Sequence, residues 1–230
     1  MSTHGLAIFD LDYTLTTRGT WGRFVWMNVK TRPHIWLPLL INAGWVQWQY
    51  KRGRRPRVDV KKAMMRWCLV GMPKAALVAR GRLFAKREVE KGLRPGALRA
   101  IKRHRDVGDR LMIASAAVDI IVEPIANLLD IPYYVATNMA WDVREDGSEV
   151  LSDGFSSKNC YGEEKLVRVR ELISAAPELK NDHSPVTVYS DSHSDIDLMQ
   201  FYDFGIAVHP SKKLGIASAD LGFTIVDWSR

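Results

Sequence analysis

An α/β fold, a parallel sheet with a helical segment inserted after its first strand, is what three features of this sequence predict. The run Leu6-Ala7-Ile8-Phe9 is continuously apolar, as a strand buried on both faces of a parallel sheet must be, and it ends on Asp10 and Asp12. Further short apolar runs follow at residues 109–114, 133–137, 186–189, 204–208 and 223–226, and helical spacing separates most of them. Between the first two runs, from residue 21 to about 93, the chain reads as helical, with interruptions at Pro33, Pro38, Gly53 and Pro56. A chain of 230 residues that is 47% apolar can bury a substantial core and still carry such an insert.

Each element has a local reason. The first strand delivers Asp10 and Asp12 to its carboxyl end, where open α/β sheets gather their chemistry. Two carboxylates so close repel each other unless a cation sits between them. Magnesium satisfies that need, because it takes hard oxygen ligands and also binds substrate phosphate. Taken alone, the pair also reads as a strand-end cap and a turn residue. Within the insert, residues 59–68 and 73–91 have helical apolar spacing, and Pro73 suits a first turn. Gly92, Pro95 and Gly96 mark the return, and a helix over 96–105 leads into the strand at 109–114 and Ser115. A hydroxyl there, before a helix over 118–129, is either a cradle for phosphate oxygens or a plain helix cap. Residues 141–155 read as a hairpin turning at Asp146-Gly147. Lys165 then stands near the start of a helix that runs to about 174, a position where a cation opposes the local dipole. The strand at 186–189 runs into Ser190-Asp191-Ser192-His193-Ser194-Asp195, a second pair of carboxylates at a strand end. Helices to about 202 and over 211–217 join the last two strands.

In order, these segments resemble the four motifs of the haloacid dehalogenase (HAD) superfamily of phosphotransferases: four apolar residues and DxDxTL, LMIASA, a lysine near a helix start, and SDSHSD. The resemblance implies a Rossmann-like parallel-sheet core, residues 1–16 and 93–230, with an inserted α-helical cap over 17–92, as in phosphoserine-phosphatase-like members. It also implies roles. Asp10 is the nucleophile that forms an aspartyl phosphate, and Asp12 is the general acid and later the base. Thr14, Ser115 and Lys165 bind the phosphate, with Lys158 as the alternative lysine. Asp10, Asp12 (through its backbone carbonyl) and Asp191 hold Mg2+, and Asp195 supports the site from behind. Ser190 replaces the usual glycine of the fourth motif. Dehalogenase members lack the second aspartate, so Asp12 favours phosphoryl transfer.

The formal charge of +7 is unevenly placed. Between Tyr13 and Val58 there is no Asp or Glu, while Arg18, Arg23, Lys30, Arg32, Lys51, Arg52, Arg54, Arg55 and Arg57 are all basic. Trp21, Trp26, Trp36, Trp45 and Trp48, five of the eight tryptophans, share that stretch. Tryptophan beside apolar and basic residues is the composition of an element lying on an anionic membrane surface, and packing of the insert on the core is the alternative. Trp21-Gly22-Arg23-Phe24, Leu37-Pro38-Leu39-Leu40, the segment from Cys160 to Lys165, and Tyr189-Ser190-Asp191-Ser192 resemble capped members that dephosphorylate phosphatidylglycerophosphate. A phospholipid head-group phosphate is therefore the expected substrate, with a soluble phosphomonoester as the alternative; phosphoserine would find no acid in the early cap for its ammonium. The basic block would also suit nucleic acid, but no recognised motif accompanies it and the four core motifs would go unexplained, so no nucleic-acid partner is expected. Cys68 and Cys160 suggest neither a disulfide framework nor a zinc site and fit a reducing cytoplasm. The amino terminus has no basic lead or long apolar run, and the apolar stretch at 35–48 is too short and too interrupted to span a bilayer. The expected location is the cytoplasm, peripheral on the inner face of a membrane.

Overall fold

The computed structural model describes residues 4–179 and 184–229; Met1 to Thr3, on which the absence of a signal segment partly rests, lie outside the described residues. Strands β1 (Leu6–Phe9), β2 (Arg110–Val118), β3 (Tyr133–Thr137), β6 (Val186–Ser190), β7 (Phe204–Val208) and β8 (Thr224–Val226) form one sheet in the order β3-β2-β1-β6-β7-β8. Every pairing in it is parallel. The chain builds outward from β1 in one direction and then returns to build from β6 in the other, so β1 and β6 flank the switch point where such sheets open a crevice. Register fixes what meets there. Phe9 stands opposite both Ile113 and Tyr189, which brings the residues just beyond them, Asp10, Ser115 and Asp191, to one edge.

The connecting helices are α5 (Pro95–Asp106), α6 (Asp119–Leu128), α7 (Glu163–Ala175), α8 (Ile196–Phe201) and α9 (Lys212–Leu221). The hairpin expected around Asp146-Gly147 is β4 (Met139–Val143) with β5 (Glu149–Phe155), and Gly147 takes the positive φ its turn requires. The insert is four helices: α1 (Thr20–Val29), α2 (Pro33–Lys51), α3 (Arg57–Arg66) and α4 (Lys74–Lys91). Pro38 does not interrupt it as expected. It lies one turn into α2, close enough to the end that few intrahelical bonds are lost, and Pro33 supplies the first residue. β2 also runs past the predicted end, with an irregular register between Ala114 and Val118, so Ser115 lies within the strand's last, distorted stretch.

The insert is tied down at both ends. Thr17 N–H donates to the Gly92 carbonyl at 2.8 Å and Arg94 N–H to that of Leu15 at 2.9 Å, which cinches its entry to its exit. One hydrophobic cluster continues from Phe9 and Ile113 of the sheet into Phe24, Val25, Met65, Leu77 and Phe84 of the insert. The closest approach is between α4 and α6. A Cβ placed on Gly81 would lie 2.2 Å from the carbonyl oxygen of Ile120, so only glycine allows the two helices to meet there. Gly81→Val should therefore force them apart and lower unfolding free energy by about 1–3 kcal/mol despite valine's ordinary helix tolerance, which denaturant titration against wild type will measure.

Candidate active site

The backbone leaves β1 through an unusual turn. Asp12 is extended, Tyr13 adopts φ of 65°, and Leu15 and Thr16 fold back to donate to the carbonyls of Asp10 and Leu11. A tyrosine in the left-handed region costs on the order of 1 kcal/mol, and strain of this kind collects at functional sites. The turn is held by Arg94, whose Nε donates to the Tyr13 carbonyl at 3.1 Å. Its effect is to place both carboxylates on one cleft of about 70 Å³, which Asp10, Asp12, Ser115, Lys165, Asp191 and Asp195 all line.

Lys165 is the electrostatic centre of that cleft. Its Nζ donates to Asp10 Oδ1 at 2.9 Å and to Asp195 Oδ2 at 2.8 Å, and the side chain is 3% exposed. Burial alone would lower the ammonium's pKa, but the two carboxylates outweigh it and hold the pKa well above its usual range. Lys158, the other candidate, is 83% exposed and reaches only Glu164. Ser190, standing where a glycine was expected, braces the far carboxylate. Its hydroxyl donates to Asp195 Oδ2 at 2.6 Å and accepts from Ser192 N–H at 3.1 Å.

The three carboxylates of Asp10, Asp191 and Asp195 face a single buried ammonium. Burial, countered by Lys165 and reinforced by its acidic neighbours, pushes Asp10 up to about 7, and burial with the Asp195 charge pushes Asp191 up to about 6. Thr14 links these two: its Oγ1 lies 3.3 Å from Asp10 Oδ2 and 3.4 Å from Asp191 Oδ1, and it accepts from Asp191 N–H at 3.0 Å. Thr14, expected to bind phosphate, is fully buried, and its hydroxyl lies between the two acids. Two carboxylate oxygens converging on one hydroxyl, with excess negative charge, fit a small divalent cation. Among the described residues no third His, Cys, Asp or Glu joins them to make a complete cage. Magnesium commonly takes one or two carboxylates and keeps water, and Asp10 with Asp191 offers donors of that chemistry.

Asp12 stands on the insert side of the cleft. Its Oδ1 accepts from Thr20 N–H at 2.8 Å, at the first residue of α1, so this acid of the cleft is tied to the insert and also lines the cavity beyond. Burial raises its pKa against that hydrogen bond and the nearby charge of Lys61. Lys61 itself is a residue that sequence reasoning missed. It is buried, and its Nζ donates to the Ala116 carbonyl and to Asn159 Oδ1, joining α3 of the insert to the strand end beside Ser115. Burial and the charge of Arg57 push it down to about 8. A local signal was present, since Lys61 lies one turn before Met65 on α3, and Met65 is buried. Ser115 Oγ accepts from Ala117 N–H at 3.0 Å. Beyond Asp12 opens a second cavity of about 740 Å³, lined by Arg18, Arg23, Arg57, Lys61, Trp21 and Tyr50 among others, with Asp12 its only acid.

A family model described as haloacid dehalogenase-like hydrolase matches residues 7–200. Histidinol-phosphatase of Neisseria meningitidis is 23% identical over 240 residues, covering 97% of this chain and 98% of its own. Among solved structures, a protein of unknown function from Bordetella pertussis superposes with a TM-score of 0.83 at 22% identity, over 98% of this chain and 99% of its own. A phospho-aspartyl intermediate analogue of phosphoserine phosphatase superposes at 0.65 with 16% identity, over 99% and 94%. Both structures share this fold.

The raised acids couple stability to pH. Asp10 and Asp191 hold protons in the folded chain that they release on unfolding above their ordinary pKa of 3.8. A metal-free protein should therefore lose stability as pH climbs from 3.8 toward about 7. Scanning calorimetry should show that loss, an Asp10→Asn variant should flatten it, and magnesium chloride should raise the melting temperature more at neutral pH than in acid.

Proposed function

The chain belongs to the haloacid dehalogenase-like hydrolase family, and from that premise we propose that it is a magnesium-dependent phosphomonoester hydrolase working through an aspartyl phosphate on Asp10. The observation that carries this reading is the Lys165 ammonium held between Asp10 and Asp195. It aims one carboxylate into a cleft where a phosphate dianion must approach, and its charge opposes the burial that raises that carboxyl's pKa.

Asp10 attacks phosphorus through a carboxylate oxygen, and the ester oxygen departs. Asp12, whose buried carboxyl keeps its proton more readily than an exposed one, gives that proton to the leaving alkoxide. It then takes a proton from the water that attacks the acyl phosphate. Lys165 and the Ser115 hydroxyl hold the phosphoryl oxygens, where negative charge gathers. Asp10, Asp191 and the backbone carbonyl of Asp12 would hold magnesium, which when bound offsets the repulsion between the attacking carboxylate and the substrate. Asp195, anchored by Ser190, fixes the direction of Lys165.

The second cavity bears on the substrate. Arg18, Arg23, Arg57 and Lys61 line it, and the buried indole N–H of Trp21, another lining residue, has no hydrogen-bond partner. A leaving group that carries a second anion fits these donors. A phospholipid head-group phosphate such as phosphatidylglycerophosphate has one in its phosphodiester, which supports that substrate over an amine-bearing one. A soluble phosphomonoester metabolite is the second reading, favoured by the histidinol-phosphatase relative, which matches along nearly its whole length.

Purified protein should release phosphate from phosphatidylglycerophosphate in a magnesium-dependent way, faster than from phosphoserine or histidinol phosphate. Higher turnover on either amine would reverse the substrate reading, and no metal-dependent release from any phosphomonoester would end the mechanism. Asp10→Asn should abolish turnover with the fold intact by circular dichroism. Asp12→Asn should slow it by roughly 10²–10⁴-fold and let a labile phosphoryl-enzyme accumulate, detectable by intact mass.

A further inference from the structure

α2 presents an apolar face to solvent. Leu37, Leu40, Ile41, Trp45 and Trp48 lie on one side of the helix and all are exposed, Leu37 by 68% and Trp45 by 57%. Leu39 and Val46 lie on the opposite side and are buried. Trp26 of α1, 51% exposed, packs against Trp36 at the amino-terminal end of the same surface. Packing of the insert on the core accounts for Trp21, which is buried, but not for these outward residues. A helix apolar on every side normally has both sides covered, and a contiguous exposed patch of this kind marks a contact.

The charges around the patch select the partner. The Arg52 guanidinium lies 4.1 Å from the ring centre of Trp48 and that of Arg54 5.8 Å, so cations and indoles share one surface. Lys30 and Lys51 stand exposed at its two ends. No acid occurs between Tyr13 and Val58, and the first beyond, Asp59, faces Arg55 at 3.8 Å. A second copy of this chain would set like charges against like across a two-fold axis.

We propose that the outer face of α2 docks on an anionic lipid bilayer. The helix lies in the plane of the surface, with Leu37, Ile41, Trp45 and Trp48 in the interface and the flanking arginines and lysines at lipid phosphates. It does not cross: no helix among the described residues is long and apolar enough to do so. The inner side of the same helix gives Gln47 and Tyr50 to the cavity beside Asp12. Docking thus sets that cavity at the lipid surface. Its purpose rests on the phospholipid reading above, while the binding itself requires no turnover.

Vesicle flotation of the full chain and of Asp10→Asn separates the two. Both should float with phosphatidylcholine vesicles containing phosphatidylglycerol at least about tenfold better than with phosphatidylcholine alone, and high salt should release them. The pair Ile41→Gln and Trp45→Gln should weaken this by more than about tenfold, and the pair Arg52→Glu and Arg54→Glu by about thirtyfold. Both pairs should hydrolyse para-nitrophenyl phosphate as wild type does. Equal recovery on neutral and anionic vesicles, or undiminished binding by both pairs, would overturn the docking, as would a dimer in sedimentation that Trp45→Gln converts to monomer. Flotation as expected without lipid phosphatase activity would leave docking standing and remove the substrate reading.

Discussion

A buried lysine shared by two carboxylates is the constraint on which the site depends. Lys165 is among the least accessible charges in the chain, and removing it would leave Asp10 and Asp195 desolvated and facing each other. Its cost is met by geometry drawn from three places in the sequence: the end of β1, the first turn of α7 and the turn after β6. None of these is adjacent in the chain. Only the parallel register, with Phe9 between Ile113 and Tyr189, brings them together. The sheet's order is therefore the cause of the electrostatics, since a one-residue slip in β6 would turn Asp191 away from Thr14 and dissolve the acidic pair.

How far the chain could be read beforehand follows from the range over which each signal acts. The strands were legible from their apolar runs: LAIF is uninterrupted and buried throughout, and VTVY, broken by one threonine, is buried over its second half. Asp10 and Asp191 stood out because each directly follows a strand end, whereas Asp12 and Asp195 lie a turn further on. Thr14 was harder: a hydroxyl four residues from an acid says nothing of its direction, and here, after the left-handed Tyr13, it meets both Asp10 and Asp191. Pro38 misled because proline's effect depends on distance from a helix start, which sequence alone places only to within a few residues. Lys61 was hidden by a general expectation that lysines are solvated. Its partners, Ala116, Thr137 and Asn159, are contributed by elements up to 98 residues away, and nothing local announces them.

The insert and the core divide the charge between them, and this division has a mechanical side. The core gathers acids at the sheet edge, while the insert supplies cations over the second cavity and along α2. Lys61 spans the two, a cation from the insert seated on the backbone beside Ser115. Arg23, from the same insert, is paired with the buried Glu88 of α4. The Arg23–Glu88 pair ties α1 to α4 within the insert, while Lys61, the Lys74–Glu149 pair and the cluster around Phe24 and Phe84 fasten the insert on the core.

That fastening has a consequence for access. Tyr13, Arg57, Asp12 and Ala116 line both the small cleft and the larger cavity, so on the proposed mechanism a phosphate ester at Lys165 would extend its leaving group toward the insert. Arg57, stacked 4.7 Å over Tyr161, stands at the boundary between the two spaces and belongs to the helix that follows α2 directly. Gln47 and Tyr50 of α2 line the larger cavity together with Arg57, so the helix that carries the exposed apolar face also forms part of that cavity's wall. A surface that holds α2 in place would hold that wall in place as well, and the same four helices would govern both where the chain sits and which esters reach Asp10.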